Sequence, residues 1–204
     1  MNRNPVRNPL RERLRVQRAQ LPANERISAA TALGATLEQL PEFLVDARIA
    51  GYWAVHGEMP LHAAFASLRA RAQTYCLPML SDDGTLRFAP WQPPLALRNN
   101  RYGIPEPVVP ADACLAPADM DVVLVPLLGF DRCGNRLGSG GGWYDRSFAF
   151  LRNATRPARP VLVGIGYHFQ EVAALDAEAW DVRMDFIATD RELIACTPPD
   201  AMTP

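Results

Sequence analysis

The chain has 204 residues, 49% of them hydrophobic, enough to bury the core of one ordinary globular domain; 21 basic against 22 acidic residues leave a formal net charge of -1. With no overall field to gather nucleic acid or an anionic membrane, any anion must be bound locally. All 21 basic residues are arginine, which excludes a Walker-type lysine loop, a protein-kinase strand lysine and Schiff-base chemistry on lysine.

The amino-terminal segment is arginine-rich but lacks the apolar stretch of a secretory signal, and it carries Glu12 before running into a patterned helix. From Leu10 to Leu40 the spacing predicts two helices, broken at Leu21-Pro22, the second placing Ile27, Ala30, Leu33, Leu37 and Leu40 on one face until Pro41 ends it. Arg48 to Ala54 reads as a strand, Leu61 to Ala72 as a helix, and Thr74 to Leu77 as a strand stopped by Pro78. Ser81 to Pro117 concentrates turn residues, with Leu86, Phe88, Trp91 and Leu95 as apolar anchors. Asp121 to Pro126 is continuously apolar, as a strand buried on both faces requires. Tyr144 to Leu151 reads as a helix, Val161 to Tyr167 as another buried strand, and Phe186 to Thr189 as the last strand before a proline-containing tail. Strands alternating with helices predict a single layered α/β domain over 1-204 with a largely parallel central sheet.

Cys76, Cys114, Cys133 and Cys196 form no C-x-x-C pair, so reduced thiols in the cytoplasm are expected, with neither a zinc site nor a disulfide framework. No apolar run is long enough to span a bilayer. His56, His62 and His168 are too far apart to form a local metal motif and read as surface or packing residues, with His56 close to Glu58.

Between a buried strand and a helix lies GFDRCGNRLGSGGGWYDR, where parallel sheets place their ligands. Gly138, Gly140, Gly141 and Gly142 permit positive φ and close approach, so consecutive backbone N–H groups could converge on phosphate oxygens at a helix N-terminus. Arg136 would add positive charge and Asp145 a hard oxygen ligand for magnesium. A flexible linker would be polar, whereas this run is enclosed by Phe130, Leu137, Trp143 and Tyr144.

The same run strongly resembles the signature of the 5-formyltetrahydrofolate cyclo-ligase (5,10-methenyltetrahydrofolate synthetase) family. The resemblance extends to the basic amino-terminal segment, YWAVHGE ending at Glu58, GIPEP, VGIGYHFQ and the stretch from Asp181 to Asp185. It implies a three-layer α/β fold and ATP-dependent conversion of 5-formyltetrahydrofolate to 5,10-methenyltetrahydrofolate with release of ADP and phosphate, Mg2+ being required. Carried over residue by residue, Arg136, Leu137, Gly138, Ser139, Gly140, Gly141, Gly142, Trp143 and Tyr144 resemble the ATP phosphate loop, with Ser139 to Trp143 also facing the folate. Arg7 and Arg11 resemble nucleotide contacts, Trp53 and Glu58 folate contacts, and Asp145 and Asp181 the magnesium acids, Asp185 being the alternative to Asp181. Arg136 and Asp145 are the residues expected to carry catalysis.

Without the motif, Arg7 and Arg11 read as solvated helix charges, Trp53 as core, and Glu58 and Asp181 as loop acids. Two positions depart from the family pattern: Arg7 stands where lysine is usual, and Trp143, which lacks a phenol, where tyrosine is usual. The expected partners are the two small molecules, reduced folate and ATP, acting on a monomer with no nucleic acid and no membrane. Another ATP-dependent phosphoryl-transfer enzyme and a non-catalytic nucleotide or folate sensor are the alternatives on the same scaffold.

Overall fold

The computed structural model describes residues 7–197; the first six residues of the basic segment and the tail from 198 onward lie outside them. The elements are α1 (Arg7–Ala19), α2 (Ala23–Leu37), α3 (Pro41–Val45), β1 (Arg48–Ala50), α4 (His62–Ala70), β2 (Thr74–Leu80), β3 (Leu86–Pro90), β4 (Leu97–Asn99), β5 (Pro105–Pro107), β6 (Val122–Pro126), β7 (Gly129–Phe130), β8 (Arg136–Leu137), α5 (Trp143–Ser147), β9 (Val161–Ile165), β10 (Phe186–Ala188) and β11 (Leu193–Ala195).

Seven strands form one sheet in the order β11-β10-β9-β6-β1-β2-β3. Its interior pairings are parallel, and antiparallel pairing is confined to the two edges, β2 with β3 and β10 with β11. Both faces are covered, which explains the unbroken apolar runs of β6 and β9, buried at every position from Val122 to Val125 and from Val161 to Ile165. On one face Ile49, Val122, Leu124, Val161 and Val163 meet Ala30, Leu33 and Leu37 of α2, Phe43 of α3, and Ala64 and Leu68 of α4. The alternate residues Ala50, Val123, Val125, Leu162 and Ile187 point the other way, onto Phe148, Leu151, Val182 and Met184. That second layer is thin, since beside the sheet it has the five-residue α5 and 3-10 turns at Pro117–Asp119 and Ala149–Leu151, with loops around them.

Several element expectations need correction. Ile27, expected on the buried face of α2, is 59% exposed, because the helix buries the face carrying Ala29, Ala30, Leu33 and Leu37. Pro41 opens α3 rather than only ending its predecessor, at the first helical position where its missing N–H does no harm. β1 stops at Ala50, not Ala54, since the chain turns into the loop carrying Trp53.

β2 passes through Pro78 to Leu80. Cys76 O accepts from Gly51 N–H, so residues 76, 78 and 80 direct their backbone groups to the β1 side, where β1 has already ended at Pro78. The missing donor therefore leaves no ladder bond unmade, and Leu80 N–H is taken by Glu106 of β5 at 2.9 Å. The turn-rich middle folds as β3 and a β4–β5 hairpin. β11 returns antiparallel to β10 after the strand read as the last one.

Candidate active site

From β1 the chain builds β2 and β3 on one side, then returns to place β6, β9, β10 and β11 on the other. The switch point lies between β1 and β6, and loops leaving their carboxyl ends diverge, which opens a crevice. A cleft of about 1380 Å³ occupies this place. Tyr52 and Trp53 beyond β1, Pro78 and Leu80 of β2, Pro126 of β6 and the loop from Gly138 to Gly142 line it, and α1 contributes Arg7, Arg11 and Arg15.

The glycine loop is launched by the β7–β8 hairpin, whose turn is organised by Asp131. That carboxylate is 2% exposed and accepts the N–H groups of Cys133 at 3.0 Å, Asn135 at 3.0 Å and Leu175 at 2.9 Å, and Asn135 Nδ2 at 2.9 Å. Leu137 buries its side chain in a small cluster with Leu14, Leu128 and Leu175, so of the predicted loop residues it alone does not line the cleft. Gly140 and Gly142 have φ of +103° and +66°, a region that only glycine enters freely. Gly138 and Gly141, expected to share that freedom, do not use it; at Gly141 the restriction is Trp143 Cδ1, 2.8 Å from where a Cβ would stand. Among the described residues, none of the N–H groups of 138–142 donates to a protein partner. These donors, rather than the dipole of the short α5, are what the loop offers to an anion.

The remaining predicted charges converge here. Arg136 is buried and donates to Asp145 Oδ1 at 2.6 Å, with its guanidinium 5.8 Å from the Tyr144 ring centroid. Arg7 donates to Asp181 Oδ2 at 2.7 Å and also bonds Asp176 O. Both arginines have a buried Nε without a partner. Arg11 is held below its ordinary value by burial and then by the charges of Arg7 and Arg15, which makes its site one where an incoming anion is favoured.

Asp145 Oδ1 additionally accepts Val182 N–H at 3.2 Å, and Asp181 Oδ2 accepts Glu178 N–H at 2.9 Å. These bonds engage one oxygen of each acid and leave the other outside them. No group of three or more His, Cys, Asp or Glu forms a ready-made metal cage among the described residues; the donor chemistry instead suits a hard cation that takes few protein oxygens and completes its shell from phosphate and water. Asp185, the alternative to Asp181, stands apart from this pair. It does not line the cleft; it is a buried anchor that bonds both Nε and Nη2 of Arg156 and takes Leu162 N–H at 2.8 Å, and burial pushes its carboxyl up.

Opposite the loop, Trp53 is 38% exposed and packs edge-on against Trp91 at 5.9 Å. Glu58 accepts Val55 N–H through Oε2 at 3.1 Å. Burial pushes its carboxyl up, opposed by that bond and by the charges of Arg18 and His56. Trp143 faces Tyr102 edge-on at 6.3 Å, and the guanidinium groups of Arg101 and Arg146 lie 5.5 Å and 5.0 Å from its ring centroid.

Arg15, Tyr102, Arg146, Arg152 and Trp180 also line the cleft and were missed in the sequence. Arg146 adjoins the motif's own aspartate and Tyr102 precedes GIPEP, so proximity was the available signal; for Arg15 it was the four-residue repeat Arg7, Arg11, Arg15. The thiols of Cys76 and Cys196 are pushed up to about 12 by burial, which leaves them protonated at neutral pH. His168 Nδ1 is engaged by Asp190 at 2.8 Å, and no histidine lines the cleft.

A mostly parallel sheet with its crevice at the switch point, a loop of unbonded N–H groups and a ring of arginines give the build of an α/β protein that takes an anionic ligand beyond its strand ends. The 5-formyltetrahydrofolate cyclo-ligase family model matches residues 3–190, and the chain belongs to that family. It is 32% identical over 178 residues to the 5-formyltetrahydrofolate cyclo-ligase of Haemophilus influenzae, covering 86% of this chain and 93% of the relative. It is 30% identical over 152 residues to the Escherichia coli K12 protein of the same name, covering 73% and 81%. The 5,10-methenyltetrahydrofolate synthetase structure from Aquifex aeolicus superposes with a TM-score of 0.79 at 27% identity, covering 98% of this chain and 97% of that one. The synthetase from Mycoplasma pneumoniae shares the fold with a TM-score of 0.70 at 24% identity, covering 91% and 99%.

Proposed function

We propose that this protein closes the ring of 5-formyltetrahydrofolate to 5,10-methenyltetrahydrofolate, using ATP and releasing ADP and phosphate. The observation that carries this reading is the glycine loop of a cyclo-ligase family member, its N–H groups unbonded and flanked by Arg7, Arg11 and Arg136. The formyl group on the substrate's N5 is an amide, and its oxygen would have to leave as hydroxide, so ring closure in neutral water needs activation. Attack of that oxygen on the γ-phosphorus forms an O–P bond and breaks the bond to ADP. The formyl carbon, now bearing a phosphate leaving group, is attacked by N10; the C–O bond breaks, phosphate departs, and N10 loses its proton as the amidinium forms.

No covalent enzyme intermediate is required, in keeping with a cleft lined by glycine, arginine and acids rather than an activated nucleophile. The loop N–H groups and Arg136 would hold the triphosphate in line with the formyl oxygen, and Arg7 and Arg11 would neutralise its charge. Trp53 and Trp143 offer apolar walls for the pterin, and Glu58 a carboxylate to accept its N–H donors. Trp143 cannot donate a phenol, so its part is packing. Magnesium, when bound through Asp145, Asp181 and phosphate oxygens, would neutralise the developing charge on the transferred phosphoryl group. No helix among the described residues is long and apolar enough to cross a membrane.

The test is to mix purified protein with 5-formyltetrahydrofolate and magnesium-ATP and follow the methenyl chromophore. Product should appear only when nucleotide and metal are both present. Formation at an undiminished rate without nucleotide would overturn the reading.

A further inference from the structure

What holds the glycine loop in shape lies largely outside it. On one side α1 presents two arginines a turn apart: Arg11 Nε donates to Gly138 O at 3.1 Å, and Arg15 Nη2 to Ser139 O at 3.2 Å. On the other, Arg146 donates from Nη1 to Gly141 O at 2.9 Å and from Nε to Gly84 O at 2.7 Å, its guanidinium lying over the Trp143 ring. Gly84 belongs to the turn between β2 and β3. Ser147 fastens the same end of α5 to that hairpin, accepting Leu86 N–H at 2.8 Å and donating to Trp143 O at 2.7 Å.

In a trans peptide the C=O of one residue and the N–H of the next point in opposite directions. Fixing the carbonyls of Gly138, Ser139 and Gly141 on arginines therefore turns the N–H groups of Ser139, Gly140 and Gly142 away from those arginines. They are donors that bond nothing else among the described residues. A loop with four glycines in five residues has much conformational freedom to lose, and without these struts a ligand would have to order it on binding.

We propose that Arg15 and Arg146 are positioning residues that pre-form the anion-binding shape of the glycine loop from outside. The proposal rests on the nucleotide reading of that loop given above. Arg146 is the stronger strut, because one fork spans two carbonyls while its charge lies over an indole ring, and a lysine point charge cannot reproduce that fork.

The experiment uses the full chain carrying Arg146→Gln, Arg146→Lys or Arg15→Gln. Both arginines lie at the surface, so the variants should fold with little change in melting temperature. In the ligand-free protein, backbone 15N order parameters of residues 139–142 should fall in both glutamine variants and be only partly restored by Arg146→Lys. Calorimetry with a β,γ-imido ATP analogue and magnesium should show Kd raised about tenfold in Arg146→Gln, the order of loss expected when the ligand itself must order the loop. Loop order unchanged from wild type overturns the proposal; if binding weakens all the same, Arg146 touches the ligand directly. If the wild-type protein fails to bind the analogue, the nucleotide reading falls, and the ligand-free order parameters still decide whether these arginines set the loop.

Discussion

Gly142 combines two constraints, a left-handed φ of +66° and Arg146 Nη1 at 2.9 Å from the place of a Cβ. Gly142→Ala should destabilise the fold by about 1 kcal/mol, the order of the left-handed penalty, and reduce kcat/KM for ATP far more than that stability change explains. Comparing melting temperature with initial rates separates the two effects. Asp145 and Asp181 form ion pairs with Arg136 and Arg7, so Asp145→Asn and Asp181→Asn each remove a candidate metal oxygen and release an arginine. We expect each to lower ATP-dependent turnover by about a hundredfold at low magnesium, with partial rescue as magnesium is raised and folate affinity preserved by fluorescence quenching. Full activity of both variants at low magnesium would refute the metal assignment.

Glu58 carries a pH prediction. Burial holds its carboxyl above the ordinary 4.5, so the fold favours the protonated form. Its contribution to stability is fully present below 4.5 and is lost as pH rises through the raised folded value. Glu58→Gln, fixed in the neutral state, should match wild type in acid and exceed it in stability above that window. Denaturant midpoints measured across the range check this. In the wild type, KM for the folate should fall through the same window as the acceptor carboxylate ionises.

At the scale of elements, α1 carries three cleft arginines but is docked by few apolar contacts. Leu14, 2% exposed, packs with Leu128, Leu137 and Leu175 beneath the loop. Leu14→Ala should cost about 2–4 kcal/mol and loosen the helix with its arginines, so nucleotide KM should rise while folate KM stays nearly constant. Parallel changes in both would mean that α1 does not act separately on the nucleotide side. The β4–β5 hairpin is tied down chiefly by Glu106, which takes Leu80 N–H and Asn100 Nδ2. A long-range polar anchor of this kind leaves no periodicity, and the segment therefore read as a turn-rich excursion. Pro78 misled for a related reason: whether a proline stops a strand depends on which neighbour its missing donor would face, and that is a tertiary fact.

At the scale of the whole molecule, the legible parts were those governed by local rules. Buried parallel strands are apolar at every position, so β6 and β9 stood out, and the glycine motif is contiguous. The thin second layer, β11 and the ion pairing of both candidate metal acids were not legible, because each depends on contacts between distant residues, such as Arg7 with Asp181. The position of the cleft follows from topology, the strand order reversing at β1 and β6. Activation of the formyl oxygen by ATP is tested by a turnover experiment with substrate labelled by 18O in that group. The methenyl chromophore should appear with one ADP per ring closed and the label in inorganic phosphate. Label released into water, or ring closure without ADP formation, would contradict that activation.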